Sequence, residues 1–273
     1  MLPFALNHMT APRTGWEDLL ILARSLGCLG VEFRNDLDGP LFGGVDPARV
    51  RAGARAQGLR ILALAELKRF DDWSETRAAE AEALIAVAKA SGAEAISLIP
   101  RNDGWQGDAQ DDAQGATLAA LREILPLLKS AGLRAMVEPL GFRTCALRQK
   151  SVLAHCIEAA GAEGTVFMIH DTFHHALAGF GPIFPALTGC IHVSGVETPG
   201  NFDDMRDSDR ILVGEHDRLR NVAQIRALRA AGCTAPISFE AFSPAVHGLE
   251  DPRPALQASM TFLRAAAEVQ TAA

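Results

Sequence analysis

Four short apolar runs in this sequence end in a polar side chain that a packed core would not choose. They are Met136-Val137-Glu138-Pro139, Met168-Ile169-His170-Asp171, Cys190-Ile191-His192-Val193 and Ile237-Ser238-Phe239-Glu240. An ionised carboxylate at the end of a buried strand costs several kcal/mol unless a cation or hydrogen bonds compensate it. The plain alternative is that each acid pairs with an Arg or Lys. Three carboxylates and one imidazole at the same place in four successive strands point instead to one divalent metal held by Glu138, Asp171, His192 and Glu240. The donors are oxygen and nitrogen without thiolate, which suits Mn²⁺, Zn²⁺, Co²⁺ or Mg²⁺ and does not choose among them.

A metal flanked by two glutamates suits proton abstraction beside a ketone: an enediolate develops, and the surrounding positive charge stabilises it. Glu138 and Glu240 form the natural acid/base pair, doubling as ligands. His174, three residues after Asp171, leaves the strand in a loop or first helical turn and can reach back toward the substrate. His170 alternates with Asp171 along the strand, so it and His175 read as structural. Polar residues at the other strand ends would orient substrate hydroxyls: Asn7, Glu32 and Arg34, Glu66 and Lys68, Arg101, and Arg210 from a long loop. Glu32 and Arg34 lie two apart, so both can face inward, where a mutual salt bridge is the simplest expectation.

The elements that must position these groups follow from periodicity. Eight β-type runs occur, at Phe4–Asn7, Gly30–Arg34, Arg60–Leu67, Ala95–Pro100, Arg134–Gly141, Val166–Asp171, Gly189–Gly195 and Pro236–Phe242. Each precedes an amphipathic, Ala-rich stretch. Gly27, Gly58, Gly92, Gly132 and Gly232 stand where helix C-caps belong, and Asp46-Pro47 and Ser74 where helices begin. Strict βα alternation predicts a parallel sheet with right-handed crossovers. Eight units, and no Gly-x-Gly-x-x-Gly loop after any strand, favour a single (β/α)₈ TIM barrel over 1–273 rather than an open sheet. Longer loops at Asn35–Val45, Arg101–Asp111 and Val196–Val213 should wall one mouth of that barrel.

The chain's 273 residues match the ~250 typical of such a barrel. A hydrophobic fraction of 48% with 22% charged residues is that of a folded domain, with only Gln270–Ala273 looking loose. A formal charge of −7 without a Lys/Arg block argues against nucleic acid and for a small uncharged substrate. No apolar run nears the ~18 residues of a membrane span, and Pro3, Asn7 and His8 interrupt any signal-like stretch, so cytoplasm is the expectation. Five scattered cysteines indicate neither a disulfide framework nor a zinc knuckle; of these Cys145, after a strand end, is the one to watch for a place in the site.

With these motifs in hand, the chain resembles the xylose-isomerase-like barrel superfamily of sugar isomerases and epimerases. Within it the resemblance is to the inosose (2-keto-myo-inositol) isomerases of bacterial inositol catabolism. It runs over nearly the full chain and is sharpest in VEPLGFRTC from Val137, HDTFHHALAG from His170, IHVSGVET from Ile191, DSDRILVGEHD from Asp207 and ISFEAFSP from Ile237. It implies metal ligands at Glu138, Asp171, His192 and Glu240, the D-x-F-H histidine at His174, and the arginine ahead of a P-G-x-G turn at Arg210. It also implies isomerisation of an inosose through a cis-enediolate, and a homo-oligomer. Two features depart from the family: the turn reads Val213-Gly214-Glu215-His216, and Val193-Ser194-Gly195 replaces acidic residues after the seventh-strand histidine.

Other activities on the same barrel compete: a ketose 3-epimerase, a hydroxypyruvate-type isomerase or an inosose dehydratase. An apurinic-site endonuclease would need further His and acidic ligands and a basic groove, neither of which is evident. A non-catalytic sugar-binding barrel is the remaining alternative.

Overall fold

The computed structural model describes residues 2–104 and 110–268. Its strands are β1 (Phe4–Asn7), β2 (Gly30–Arg34), β3 (Arg60–Lys68), β4 (Ala95–Ile99), β5 (Arg134–Val137), β6 (Val166–Asp171), β7 (Thr188–Val193) and β8 (Ile237–Phe239). Each pairs in parallel with the next, and β1 closes on β8, forming the eight-stranded barrel that the βα rhythm predicts. The helices are α1 (Trp16–Ser25), α2 (Pro47–Ala56), α3 (Glu75–Ser91), α4 (Gln110–Ala131), α5 (Lys150–Ala159), α6 (Thr172–Leu177), α7 (Asn221–Ala230), α8 (Pro244–His247) and α9 (Arg253–Glu268). No helix among the described residues is long and apolar enough to cross a membrane.

Local chemistry sets the helix ends. The Asp46 carboxylate accepts from the Ala48 N–H with Pro47 at the first turn, and the Ser74 hydroxyl accepts from the Arg77 N–H. All five expected helix-ending glycines have φ between +67° and +85°, the left-handed conformation that costs a Cβ-bearing residue strain. The stretch after β6 forms only a short helix, with His174 in its first turn. There α6 has six residues, and Gly179 at φ +90° followed by Gly181-Pro182 turns the chain away. Of the expected loop Arg101–Asp111, residues 105–109 lie outside the described residues, as does the tail Gln270–Ala273.

Two strands end earlier than their apolar runs. β5 stops at Val137 and β8 at Phe239, yet the Glu138 N–H still donates to Leu98 O at 3.1 Å and the Glu240 N–H to Val193 O at 3.0 Å. Both glutamates therefore hang from the last rung of the ladder, and Pro139 offers no N–H to extend it past Glu138.

Strand parity decides what faces inward. Ala63, Ala95, Met136, Ile169 and Cys190 form a buried cluster inside the barrel, while Phe4, Leu6, Val31, Phe33 and Ile191 pack outward into the main core under the helices. Two residues beyond Met136, Ile169 and Cys190, on the same face, come Glu138, Asp171 and His192. The polar set thus sits directly on an apolar floor at the C-terminal ends of the strands, where barrels of this kind build their sites.

Candidate metal centre

One donor atom each from Glu138, Asp171, His192 and Glu240 lies within 4.8 Å of the others, and all four residues are buried. Asp171 and His192 are direct neighbours in the β6–β7 register. His192 Nδ1 is 3.2 Å from Glu240 Oε2 and 3.5 Å from Glu138 Oε1, without the alignment of a hydrogen bond to either. His192 Nδ1 and Glu138 Oε1 are accordingly buried polar atoms with no hydrogen-bond partner. Such orphans are costly unless something else occupies the space between them.

The charge balance asks for a cation. Glu32, Asp36, Glu66, Glu138, Asp171, Asp207 and Glu240 surround three basic side chains, Arg34, Lys68 and Arg210. Burial alone would strip the proton from His192, but Glu240 and Glu32 outweigh it and hold the imidazole pKa well above its ordinary value. Burial, then the neighbouring charge of Glu240, pushes Glu138 upward. Glu240 goes the other way: against the cost of burial, His192, Arg210 and Arg34 hold it well below the usual carboxylate range. Excess buried negative charge, unpartnered donor atoms facing one point, and an oxygen/nitrogen donor set together fit a divalent ion.

A cavity of about 390 Å³ opens over this cluster, its wall including Arg34, Glu66, Lys68, Phe142, His174 and Arg210. The loops expected to wall the mouth do so through Asp36 from the second and Asp207 and Arg210 from the seventh. His174 lies in α6, where its N–H donates to Asp171 Oδ1 at 2.8 Å, and its ring sits edge-on to Phe142. Its neighbour loop passes so close that any Cβ at position 141 would collide with the His174 carbonyl oxygen, which explains Gly141 in the VEPLG motif. His170 points outward as parity requires, bonding Lys150 Nζ through Nδ1 and Gln224 Oε1 through Nε2, both at 2.8 Å.

Several expected substrate contacts are placed differently. Asn7 is fully buried, away from the cavity wall, and donates through Nδ2 to Glu240 Oε1 at 3.1 Å, so it holds Glu240 in place. Arg210 lines the cavity but is already committed: it donates to Asp171 Oδ2 at 2.6 Å and Glu240 Oε2 at 2.8 Å, pairs with Asp207, and stacks over Phe242. Arg34 binds Asp36, Glu66 and Glu240, while Lys68 at the rim binds Glu66 and Asp36. Arg101 turns to Asp71 instead of the site. Of the two readings of Glu32 and Arg34, the mutual salt bridge does not form: Glu32 reaches His192 across the barrel, and Arg34 turns to Asp36, Glu66 and Glu240. Among the cysteines it is Cys190, not Cys145, that lies beside the cluster, 4.0 Å from Glu32.

Sequence reading missed Lys150, buried at the start of α5, and Asp36, which clamps Arg34 with both oxygens. Burial drops the Lys150 pKa to about 7 against the pull of Asp171 and Glu138. Neither residue carries a local signal: a Lys in a first helical turn and an Asp in a loop look like solvated surface.

The fold has relatives. The profile described as xylose isomerase-like TIM barrel matches residues 20–266. None of the curated proteins is significantly similar in sequence. Among solved structures, a xylose isomerase domain containing protein from Salmonella typhimurium LT2 is 27% identical, with a TM-score of 0.88 over 97% of each chain. The IolI protein with a bound zinc atom is 17% identical, with a TM-score of 0.85 over the whole of both chains. An L-ribulose 3-epimerase is 18% identical, with a TM-score of 0.73 over 98% of this chain and 95% of its own. With the profile spanning nearly all of the barrel, the chain belongs to the xylose isomerase-like TIM barrel family.

Proposed function

We propose that this protein is a divalent-metal-dependent isomerase that moves a carbonyl between adjacent carbons of an inosose (2-keto-myo-inositol) by proton transfer through a cis-enediolate. The convergence of Glu138, Asp171, His192 and Glu240, with two donor atoms left without partners, carries this reading. A Mn²⁺, Zn²⁺, Co²⁺ or Mg²⁺ ion held by these four would supply Lewis acidity, polarising the carbonyl and offsetting enediolate charge. The family motifs around Glu138, His170, His192 and Glu240 support the inosose assignment, and the zinc in the IolI neighbour supports the metal.

The two glutamates divide the acid/base work unequally. Burial and Glu240 raise the proton affinity of Glu138, which suits it to take the carbon-bound proton and return it to the adjacent carbon. Glu240, kept anionic by His192, Arg210 and Arg34, stays a fixed negative centre and serves as the second member of the pair. His174 on the cavity wall is a neutral imidazole, since burial lowers its pKa, and can exchange a hydrogen bond with a substrate hydroxyl. Phe142, Leu140 and Phe242 give the cavity an apolar stretch of wall.

The cavity also favours an uncharged polyol ketone. Each arginine and lysine lining it among the described residues already has an acidic partner: Arg34 with Asp36, Lys68 with Glu66, Arg69 with Asp103, and Arg210 with Asp171. A carboxylate such as hydroxypyruvate would meet no unpaired guanidinium or ammonium there. The family likeness to an L-ribulose 3-epimerase makes a ketose 3-epimerase the second reading. The deciding experiment follows deuterium uptake by NMR in D₂O with metal-loaded protein and, in parallel, inosose, tagatose or fructose, and hydroxypyruvate. Isomerisation of inosose with exchange at the carbon beside its carbonyl is expected. Rapid turnover of a ketohexose with none of inosose would overturn the assignment, and exchange at no polyol ketone would leave a binding protein.

A further inference from the structure

Glu32 is a carboxylate that the reaction above does not use. It sits on β2, fully buried inside the barrel and away from the cavity wall, so it touches no substrate. Among the described residues no lysine or arginine is paired with it; Arg34, two positions along the strand, is turned to Asp36, Glu66 and Glu240. Its ionic partner is the ring of His192, whose Nε2 lies 3.2 Å from both Oε1 and Oε2. The thiol of Cys190, below it, has Glu32 Oε1 at 4.0 Å and the Pro236 carbonyl at 3.7 Å.

A neutral imidazole has one N–H and one lone pair, and the group facing one nitrogen decides what the other presents. A carboxylate can only accept, so Glu32 requires the N–H on Nε2. In the neutral ring that an ion would bind, the lone pair then stands on Nδ1, the atom 3.2 Å from Glu240 and 3.5 Å from Glu138 that has no hydrogen-bond partner. We infer that Glu32 is a positioning residue: it fixes the tautomer and orientation of His192, so that Nδ1 is delivered to the metal centre as a ligand. The inference rests on the metal reading above. It adds a residue on the far side of the barrel whose loss weakens the ion's binding without touching substrate.

The test is metal affinity, read independently of turnover. Zn²⁺ affinity of wild type and of Glu32→Gln is measured by competition with a chromogenic chelator, and Co²⁺ spectra report the coordination. The near-isosteric amide loses the charge while keeping the volume, and about a 10- to 100-fold weaker affinity with an unchanged far-UV spectrum is expected. Equal affinities would overturn the role of Glu32 while leaving the metal centre standing, whereas wild type that binds no ion would overturn both. A second measurement needs no variant: long-range ¹H–¹⁵N correlation of the zinc-loaded, histidine-labelled protein should show the His192 proton on Nε2, and a proton on Nδ1 would refute the inference. Two Co²⁺ per chain, with a thiolate charge-transfer band that Cys190→Ser abolishes, would also refute it, since Glu32 and Cys190 would then hold an ion of their own.

Discussion

The barrel carries a charged cluster at each mouth, and the two are built on opposite principles. At the start of the strands, Glu94 receives Arg60 at 2.5 and 2.7 Å and Arg134 at 2.7 Å, with both arginine side chains about half exposed to water and Glu94 partly so. Every charge there has its partner. At the strand ends Glu138, Asp171 and Glu240 are buried beside His192, acids outnumber cations, and Glu138 Oε1 and His192 Nδ1 have no hydrogen-bond partner. Similar residue types make a solvated, self-satisfied network in one place and an unbalanced, dry one in the other. Burial and charge imbalance, not the presence of charge, distinguish a chemical site from surface decoration.

The sharpest way to break this contrast is to neutralise one acid at the upper mouth. Glu240→Gln should keep the far-UV spectrum and lower inosose turnover by about 10³-fold or more, with Glu66→Gln at the cavity wall doing less. Comparable turnover by Glu240→Gln and wild type would remove the distinction altogether. The second effect is on stability, through Lys150 behind Asp171. Its folded pKa of about 7 lies below that of the unfolded chain, so the unfolded state holds a proton that the native state has shed between pH 7 and 10. Stability therefore rises with pH across that window, by at most about 1.4 kcal/mol per unit from this group, and the penalty is fully present below it. Urea melts should show this rise in wild type relative to Lys150→Met; a difference between the two that stays constant with pH would refute the cost assigned to burial here. The smallest effect belongs to the lower mouth, where Glu94→Gln should change stability by no more than about 1 kcal/mol, less in high salt, and leave zinc affinity unchanged. A loss of metal binding in that variant would show the two mouths to be coupled.

The quartet was legible because each member ends an apolar run at the same strand parity, a signal that lies within a few residues of sequence. The helix ends were legible for the same reason, since a glycine at φ near +70° or an Asp before Pro acts on its own turn. Where the sequence left a side chain's partner open, at Asn7, Arg101, Glu32 and Arg34, that partner is set by what lies across or around the barrel.

The sequence alone therefore determined the βα rhythm, the closure into eight strands, and the identity of the four residues that converge, because alternation and capping are local and every strand end points to the same mouth. Only the tertiary structure decided which nitrogen of His192 faces Glu138 and Glu240 and which faces Glu32, that Glu32 lies 160 positions from its partner yet 3.2 Å away, and that Arg210 and Asn7 hydrogen-bond the carboxylates of the quartet. Those pairings depend on how the closed sheet brings distant strands face to face across its interior, a distance no local spacing encodes.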